Sequence, residues 1–329
     1  MRKVKVAAIQ PGYLPIPAVY DCMGNCYEND VGYILDDYIK KQLEITFSLV
    51  EQAGREGCDI VTTCEDASVI GGFGVDTTET NIFPELVRRS ALLAQDGLSK
   101  LARKYSMYIV GCYDTSTGGK IYNTASLFSR RGDVVFEYRK THLPAYEKWQ
   151  TSEGDSLDSF ETDFGRIGMC ICYDMMFPEC VEAVALTGAE IIFHPTAGYG
   201  WYDSIGEAAL RTRANDNSVY IVTAKNYVNN AAGKSSIIDY WGQVLADAGF
   251  YRDVIVTKEI DLDAPKVQPD WFYPTQTTGI AGMRERNLRE RRPELYGVLA
   301  SQTHERLAAP GREEQDSIIE KIKTGQCRW

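Results

Sequence analysis

The chain alternates two hydrophobic rhythms. Short runs of β-branched and aromatic residues are separated by longer stretches in which apolar side chains recur at helical spacing. VKVAAIQ (4–10), CDIVTTC (58–64), MYIVGCY (107–113), YNTASLFS (122–129) and VVFEYR (134–139) predict strands. Asp36 to Glu56 predicts a helix with Ile39, Leu43, Phe47 and Val50 on one face, and Pro84 to Tyr105 another with a proline near its first turn. The second half repeats the rhythm: strands over 166–173, 189–195, 219–226, 235–240 and 253–260, helices over Pro178 to Thr187 and Asp203 to Asn217. Strands alternating with helices predict an α/β protein whose sheets are covered by helices. No sequence repeat at a fixed period accompanies it.

Two segments stand outside this pattern. Residues 11–33 mix Pro, Gly, Tyr and Cys without periodicity and are expected to form an ordered loop. Residues 284–329, opening RERNLRERRPELY, interleave both charge signs and read as a solvated arm.

Composition narrows the class. The chain has 329 residues, 44% hydrophobic and 25% charged, which suits a globular protein with a large core. No apolar run approaches the ~20 residues that span a bilayer, and the start MRKVKVAAIQ lacks a signal-peptide pattern, so a cytoplasmic protein is expected. The net charge of −11 disfavours nucleic acid as a partner. Nine cysteines scattered from Cys22 to Cys327 read as reduced thiols in a chain of this size. Cys22 and Cys26 have no second ligand pair at finger spacing, and there are three histidines in all, so no metal is expected.

Three polar residues sit where apolar strands end: Glu65 after DIVTTC, Lys140 after VVFEYR, and Cys172 near the end of RIGMCICY. Taken singly, each has a structural explanation: core packing for the Cys, a helix cap for the Glu, solvation for the Lys. Together they sit where open α/β folds bind ligands, beyond the carboxyl ends of strands. A Cys–His pair is the rival, with His194 or His142 as base, but the papain-type context around the Cys is missing. No G-x-S-x-G elbow is present, and GGFG at 71–74 lacks the Gly-Lys-Ser/Thr of a phosphate loop.

The surroundings of these residues carry a resemblance. GMCICYDMMFPE around Cys172 resembles the nucleophile motif of the nitrilase superfamily of carbon–nitrogen hydrolases. EYRKTHLPAYE, Glu137 to Glu147, resembles its lysine motif, and GREGCDIVTTCE its first glutamate motif. Similarity extends to VAAIQP, to RTRANDNSVYIVTAKN at 211–226 and to RRPELY at 291–296, nearly the whole chain. The resemblance implies a four-layer α-β-β-α sandwich, with a hydrolase domain over 1–283 and a C-terminal arm, 284–329, reaching a partner subunit in a homodimer or larger homo-oligomer. It also implies that Glu147 positions Lys140 and the substrate.

The chemistry agrees. An amide carbon is a poor electrophile, so its attacker needs activation. Glu65 can take the Cys172 proton, Lys140 can stabilise the sulfur and then the oxyanion, and the backbone N–H of Tyr173 can add a second donor. Glu65 would then protonate the leaving ammonia and activate the water that opens the thioester, for which burial should raise its pKa toward neutrality. No cofactor is needed. The expected reaction is hydrolysis of a primary amide to a carboxylic acid and ammonia; N-carbamoyl amidohydrolase, nitrilase and inactive scaffold are the alternatives.

Several positions depart from the family pattern. Cys64 stands where Pro is common and Asp216 where Glu is common. Met175 and Met176 occupy a stretch in which a basic residue often occurs, which disfavours carboxylate-bearing carbamoyl substrates. Tyr199 and Trp201, in the Gly-rich stretch 194–204 with His194, are expected to wall the substrate pocket.

Overall fold

Two six-stranded sheets, each built on the same plan, lie face to face. In a computed structural model, residues 1–14, 31–68, 70, 83–144, 147–197, 203–227, 233–264 and 288–301 are described, with 311, 313, 314 and 317. In chain order the first sheet uses β1 (Lys3–Gln10), β2 (Ile60–Thr62), β3 (Tyr108–Thr117), β4 (Lys120–Phe128) and β5 (Val134–Arg139). The second uses β6 (Ser159–Glu161), β7 (Arg166–Met169), β8 (Ile191–Thr196), β9 (Tyr220–Lys225), β10 (Ser236–Ile238) and β11 (Val244–Asp247), and β12 (Val254–Asp261) returns to the first. The spatial orders are β12-β1-β2-β3-β4-β5 and β11-β10-β9-β8-β7-β6.

Each sheet has a parallel centre and antiparallel flanks. β1, β2 and β3 run parallel, joined by helices α1 (Val31–Arg55) and α2 (Phe83–Tyr105). β7, β8 and β9 run parallel, joined by α3 (Pro178–Leu186) and α4 (Asp203–Asn217). Because β4 is antiparallel to both β3 and β5, β5 points the same way as β3. The carboxyl ends of β2, β5, β7, β8 and β9 therefore gather at one edge of the sandwich.

The central strands are covered on both faces, which explains their unbroken apolar runs. On β8 and β9 the face bearing Ile191, Phe193, Tyr220 and Val222 joins the core between the sheets. The opposite face, with Ile192 and Ile221, packs on Val181 and Val184 of α3 and on Leu210 and Ala214 of α4. α2 buries Leu86, Val87, Ala94, Leu98 and Ala102 at helical spacing, with Glu85 in its first turn and Arg103 and Lys104 in its last, signs that suit the helix dipole. Gly111 on β3 admits this helix, since a methyl group there would overlap the Leu98 side chain. Each such fully buried Leu or Ile contributes about 1.5–3 kcal/mol. At the edge away from the strand carboxyl ends, Arg2 bonds Glu190 (2.8 Å) and Asp263 (2.9 Å), pinning one sheet to the other.

The elements differ from expectation chiefly at their ends. α1 begins at Val31, five residues before Asp36 and inside the stretch 11–33 expected to form a loop. The strand expected over 166–173 ends at Met169, because the chain turns into a 3-10 helix, Cys172–Met176. The short edge strands β6 and β11 were not legible: each pairs on one side only and carries little apolar pattern. Of the arm, residues 288–301 are largely exposed, but Arg291 bonds Glu182 of α3 at 2.9 Å. The segment 15–30, Cys22, Cys26 and the glycines at 71–74 lie outside the described residues.

Candidate active site

Glu65, Lys140, Glu147 and Cys172 converge at the edge where the strand carboxyl ends meet. Lys140 follows β5, its N–H bonded to the Asn123 carbonyl of β4 (2.9 Å). Its side chain is fully buried, and Nζ donates to Glu65 Oε1 at 2.8 Å and to both oxygens of Glu147 at 2.7 and 2.9 Å. Glu65, just past β2, is 4% exposed. Its Oε1 also accepts from Asn123 Nδ2 (2.9 Å) and its Oε2 from the Ala197 N–H beyond β8 (2.9 Å). Asn226, past β9, donates to the Glu65 carbonyl at 3.3 Å. Both sheets therefore clamp this one carboxylate.

Burial and charge set the protonation states. Burial alone would lift the Glu65 carboxyl, but the Lys140 charge and hydrogen bonds from Lys140, Ala197 and the Cys172 thiol hold it below its ordinary value. Glu65 thus rests as a carboxylate, contrary to the raised value expected from burial. Burial opposes the Lys140 charge, yet Glu65 and Glu147 carry the ammonium well above its usual range. Burial pushes the Cys172 thiol up, with the Glu65 charge adding to it; Lys140 and a hydrogen bond with Thr196 oppose this. Burial also pushes Glu147 up to about 7, against the pull of Lys140 and with the push of Glu65. At rest the three groups are a thiol, a carboxylate and an ammonium.

Cys172 is held in an uncommon backbone state. Its φ is +43°, a left-handed conformation that costs a non-glycine residue about 1–2 kcal/mol. The Asp174 carboxylate over-determines this turn. Its Oδ2 accepts from Ile171 N–H (2.9 Å) and Tyr138 Oη (2.7 Å), and its Oδ1 from His142 N–H (2.9 Å) and Thr141 Oγ1 (3.0 Å). His142 Nδ1 lies 3.0 Å from the same Oδ1. Burial would lower His142, but Asp174 raises it to about 9. Pro178 at the start of α3 then requires the extended conformation seen at Phe177. The 3-10 helix begins at Cys172, so the Tyr173 N–H heads its first turn, where no carbonyl within that helix can reach it.

The other expected residues separate. His194 is fully buried behind Cys172: Nε2 donates to the Cys172 carbonyl (3.1 Å) and Nδ1 lies 3.0 Å from Thr223 Oγ1. Burial lowers it to about 4, so it is neutral. It supports the Cys172 backbone and has no exposed surface, unlike a residue expected to wall a substrate pocket. Neither His194 nor His142 takes the place of a base on the Cys172 sulfur. Met175 is buried between sheet and helices and does not wall a pocket, whereas Met176 is 45% exposed. Tyr173 is 36% exposed, its ring edge-on to Phe177. Tyr199 and Trp201 lie outside the described residues.

Sequence reasoning missed Asn123, Thr196, Asn226 and Asp174. The available signal was a polar residue inside or just after a buried strand, since such groups are retained only with partners. His142, Asp174 and Cys180 are the described residues whose donor atoms could converge on a metal, within 4.8 Å of one another. They fit one poorly, because Asp174 already receives the hydrogen bonds named above. Of the described cysteines, Cys58, Cys64, Cys112, Cys170 and Cys180 are buried free thiols and Cys172 is partly accessible.

Comparison with known proteins agrees with this geometry. The carbon-nitrogen hydrolase family matches residues 36–266. Omega-amidase NIT2 of Mus musculus is 32% identical over 235 residues, covering 65% of this chain and 81% of that protein. Omega-amidase NIT2-B of Xenopus laevis is 30% identical over 254 residues, covering 70% and 87%. Among solved structures, a carbon-nitrogen hydrolase from Helicobacter pylori G27 superposes with a TM-score of 0.71 at 22% identity, over 92% of this chain and 99% of that one. An amidase from Nesterenkonia sp. superposes with a TM-score of 0.67 at 20% identity, over 90% and 96%. These two likenesses show the nitrilase-type sandwich.

Proposed function

The chain belongs to the carbon-nitrogen hydrolase family, and from that premise we propose that it hydrolyses a linear primary amide through a thioester on Cys172. The observation that carries this reading is the buried Lys140 ammonium held between Glu65 and Glu147, near enough to Cys172 for the charges of Glu65 and Lys140 to act on its thiol.

Sulfur attacks the amide carbon as its proton passes to Glu65. Concerted transfer is needed because a free thiolate is disfavoured in this buried setting. The carbonyl oxygen gains charge and is stabilised by the Lys140 ammonium, one of whose N–H groups turns from Glu147, and by the Tyr173 N–H. Glu65 returns the proton to nitrogen, the carbon–nitrogen bond breaks, and ammonia leaves. Water then loses a proton to Glu65 as it attacks the thioester, and the sulfur departs as thiol, releasing the acid. Omega-amidase relatives support the choice of an amide. A variant of the Nesterenkonia amidase with covalent addition of the acetamide moiety of fluoroacetamide at its active site cysteine supports the covalent route.

The test is ammonia release from a panel of amides, N-carbamoyl compounds and nitriles. Amides should be preferred, and Cys172→Ala should lower turnover by about 10⁴-fold or more, as loss of a covalent nucleophile does. Full activity in Cys172→Ala, or a preference for nitriles, would refute the proposal. Lys140→Ala should be as damaging as Cys172→Ala; a dead His194→Ala beside an active Lys140→Ala would favour the Cys–His rival.

The chain is also proposed to act as a homodimer or larger homo-oligomer. Leu288, Leu295, Val298 and Leu299 of the arm and Leu186 at the end of α3 expose apolar surface, and the arm rests on α3 through Arg291 and Glu182. Contiguous apolar surface of this kind is characteristic of subunit contacts.

A further inference from the structure

Asp114 of β3 is an acid beside the site for which the chemistry above has no use. It is 5% exposed and stands directly opposite Asn123 in the β3–β4 ladder. Opposed residues project to the same face of a sheet, and Asn123 reaches Glu65 Oε1 at 2.9 Å. Cys112, two positions earlier and on that face too, reaches Asn123 Oδ1 at 3.5 Å. The Asp114 carboxyl is therefore aimed at the edge where Glu65 and Lys140 meet. No hydrogen bond from a described side chain reaches its carboxyl, and an acid so nearly enclosed beside other acids calls for a reason.

The charges around it supply one. After burial itself, Asp66, Glu147 and Glu65 push Asp114 well above the usual carboxylate range, and Lys140 alone opposes them. Lys140 is already committed to two carboxylates. The described charges that act on Asp114 are thus three acids and one ammonium that is already shared.

We propose that Asp114 is a binding residue for a positively charged group of the substrate, so that the enzyme takes linear amides bearing an ammonium at the end remote from the scissile bond. This rests on the amide-hydrolase reading above. The incoming cation is the partner that the buried carboxyl lacks, and Asp114 gives up its proton to solvent when the cation docks. An amide bearing a carboxylate finds in the protonated Asp114 no opposite charge to pair with, while the charges of Asp66 and Glu65 carry its own sign and disfavour it.

Three amides of matched length test this: δ-aminovaleramide (ammonium), caproamide (methyl) and adipamate (carboxylate). In the full-length enzyme kcat/KM should fall in that order, with the ammonium amide favoured over the methyl amide by about tenfold or more. In Asp114→Asn the ammonium-to-methyl ratio should collapse toward unity, chiefly through KM. A ratio of one or less in the unmodified enzyme overturns the inference. So does an Asp114→Asn variant that slows all three amides by the same factor, which marks a structural role. If Asp114→Asn does not fold, the order in the unmodified enzyme decides. Caproamide cleaved without a charge preference sinks this inference and spares the amide-hydrolase reading; no ammonia from any of the three sinks both.

Discussion

At the scale of single residues, the site is governed by three acid–base groups that share too few charges. One ammonium serves two carboxylates. Glu65 is clamped by Asn123 and the Ala197 N–H as well as by Lys140, so it keeps its charge; Glu147, with fewer donors, is the member that burial pushes up to about 7. Below that pH Glu147 is neutral and Lys140 keeps one anionic anchor; above it both anchors are charged. kcat/KM is therefore expected to rise with pH through a midpoint of about 7. Glu147→Gln, neutral at every pH, should lose that limb and about a hundredfold of the plateau. A limb that persists in Glu147→Gln would assign it to another group.

At the scale of elements, the placement of Cys172 depends on a turn that neither flanking element would adopt alone. β7 ends two residues before Ile171, α3 begins at Pro178, and the 3-10 helix between them carries the positive φ of Cys172. Asp174 ties that helix to the segment following β5, through Tyr138, Thr141 and His142. Lys140 lies in the same segment, so one buried carboxylate sets the separation of the Cys172 thiol and the Lys140 ammonium. Asp174→Ala leaves the His142 cation and several donors unpaired, and is expected to cost about 3–5 kcal/mol. Urea unfolding checks this: a lower midpoint with an unchanged slope is expected, and a loss under about 1 kcal/mol would show that the network is dispensable.

At the scale of the whole molecule, helices cover both outer faces of the sandwich, and part of the apolar surface left exposed among the described residues lies on α3 and the arm, at Leu186, Leu288, Leu295, Val298 and Leu299. Paired Leu295→Glu and Val298→Glu substitutions place charge on that surface without touching the buried core. Light scattering should report a multiple of the 36.8 kDa chain mass for the unmodified protein and a single chain mass for the double variant. A single chain mass for both would remove the oligomer proposal. No described helix is long and apolar enough to cross a membrane.

Much of this was written in the sequence because the relevant physics is local. A strand buried on both faces must be apolar throughout, and a helix on a sheet must repeat its apolar positions at helical spacing. Hence β1, β5, α2, α4 and β12 were legible nearly to their ends, and the motifs around Glu65, Lys140 and Cys172 marked three strand ends. What only the tertiary structure decided was how those ends meet. Parallel pairing inside each sheet and the stacking of one sheet on the other bring Glu65 from one and Cys172 from the other to a shared edge. There, charges from distant parts of the chain reverse what burial alone predicts for Glu65. Asn123, Thr196 and His194 acquired their places in the same way, because a polar side chain in a buried strand announces that it needs a partner, while the partner is chosen by the packing of chain far away in sequence.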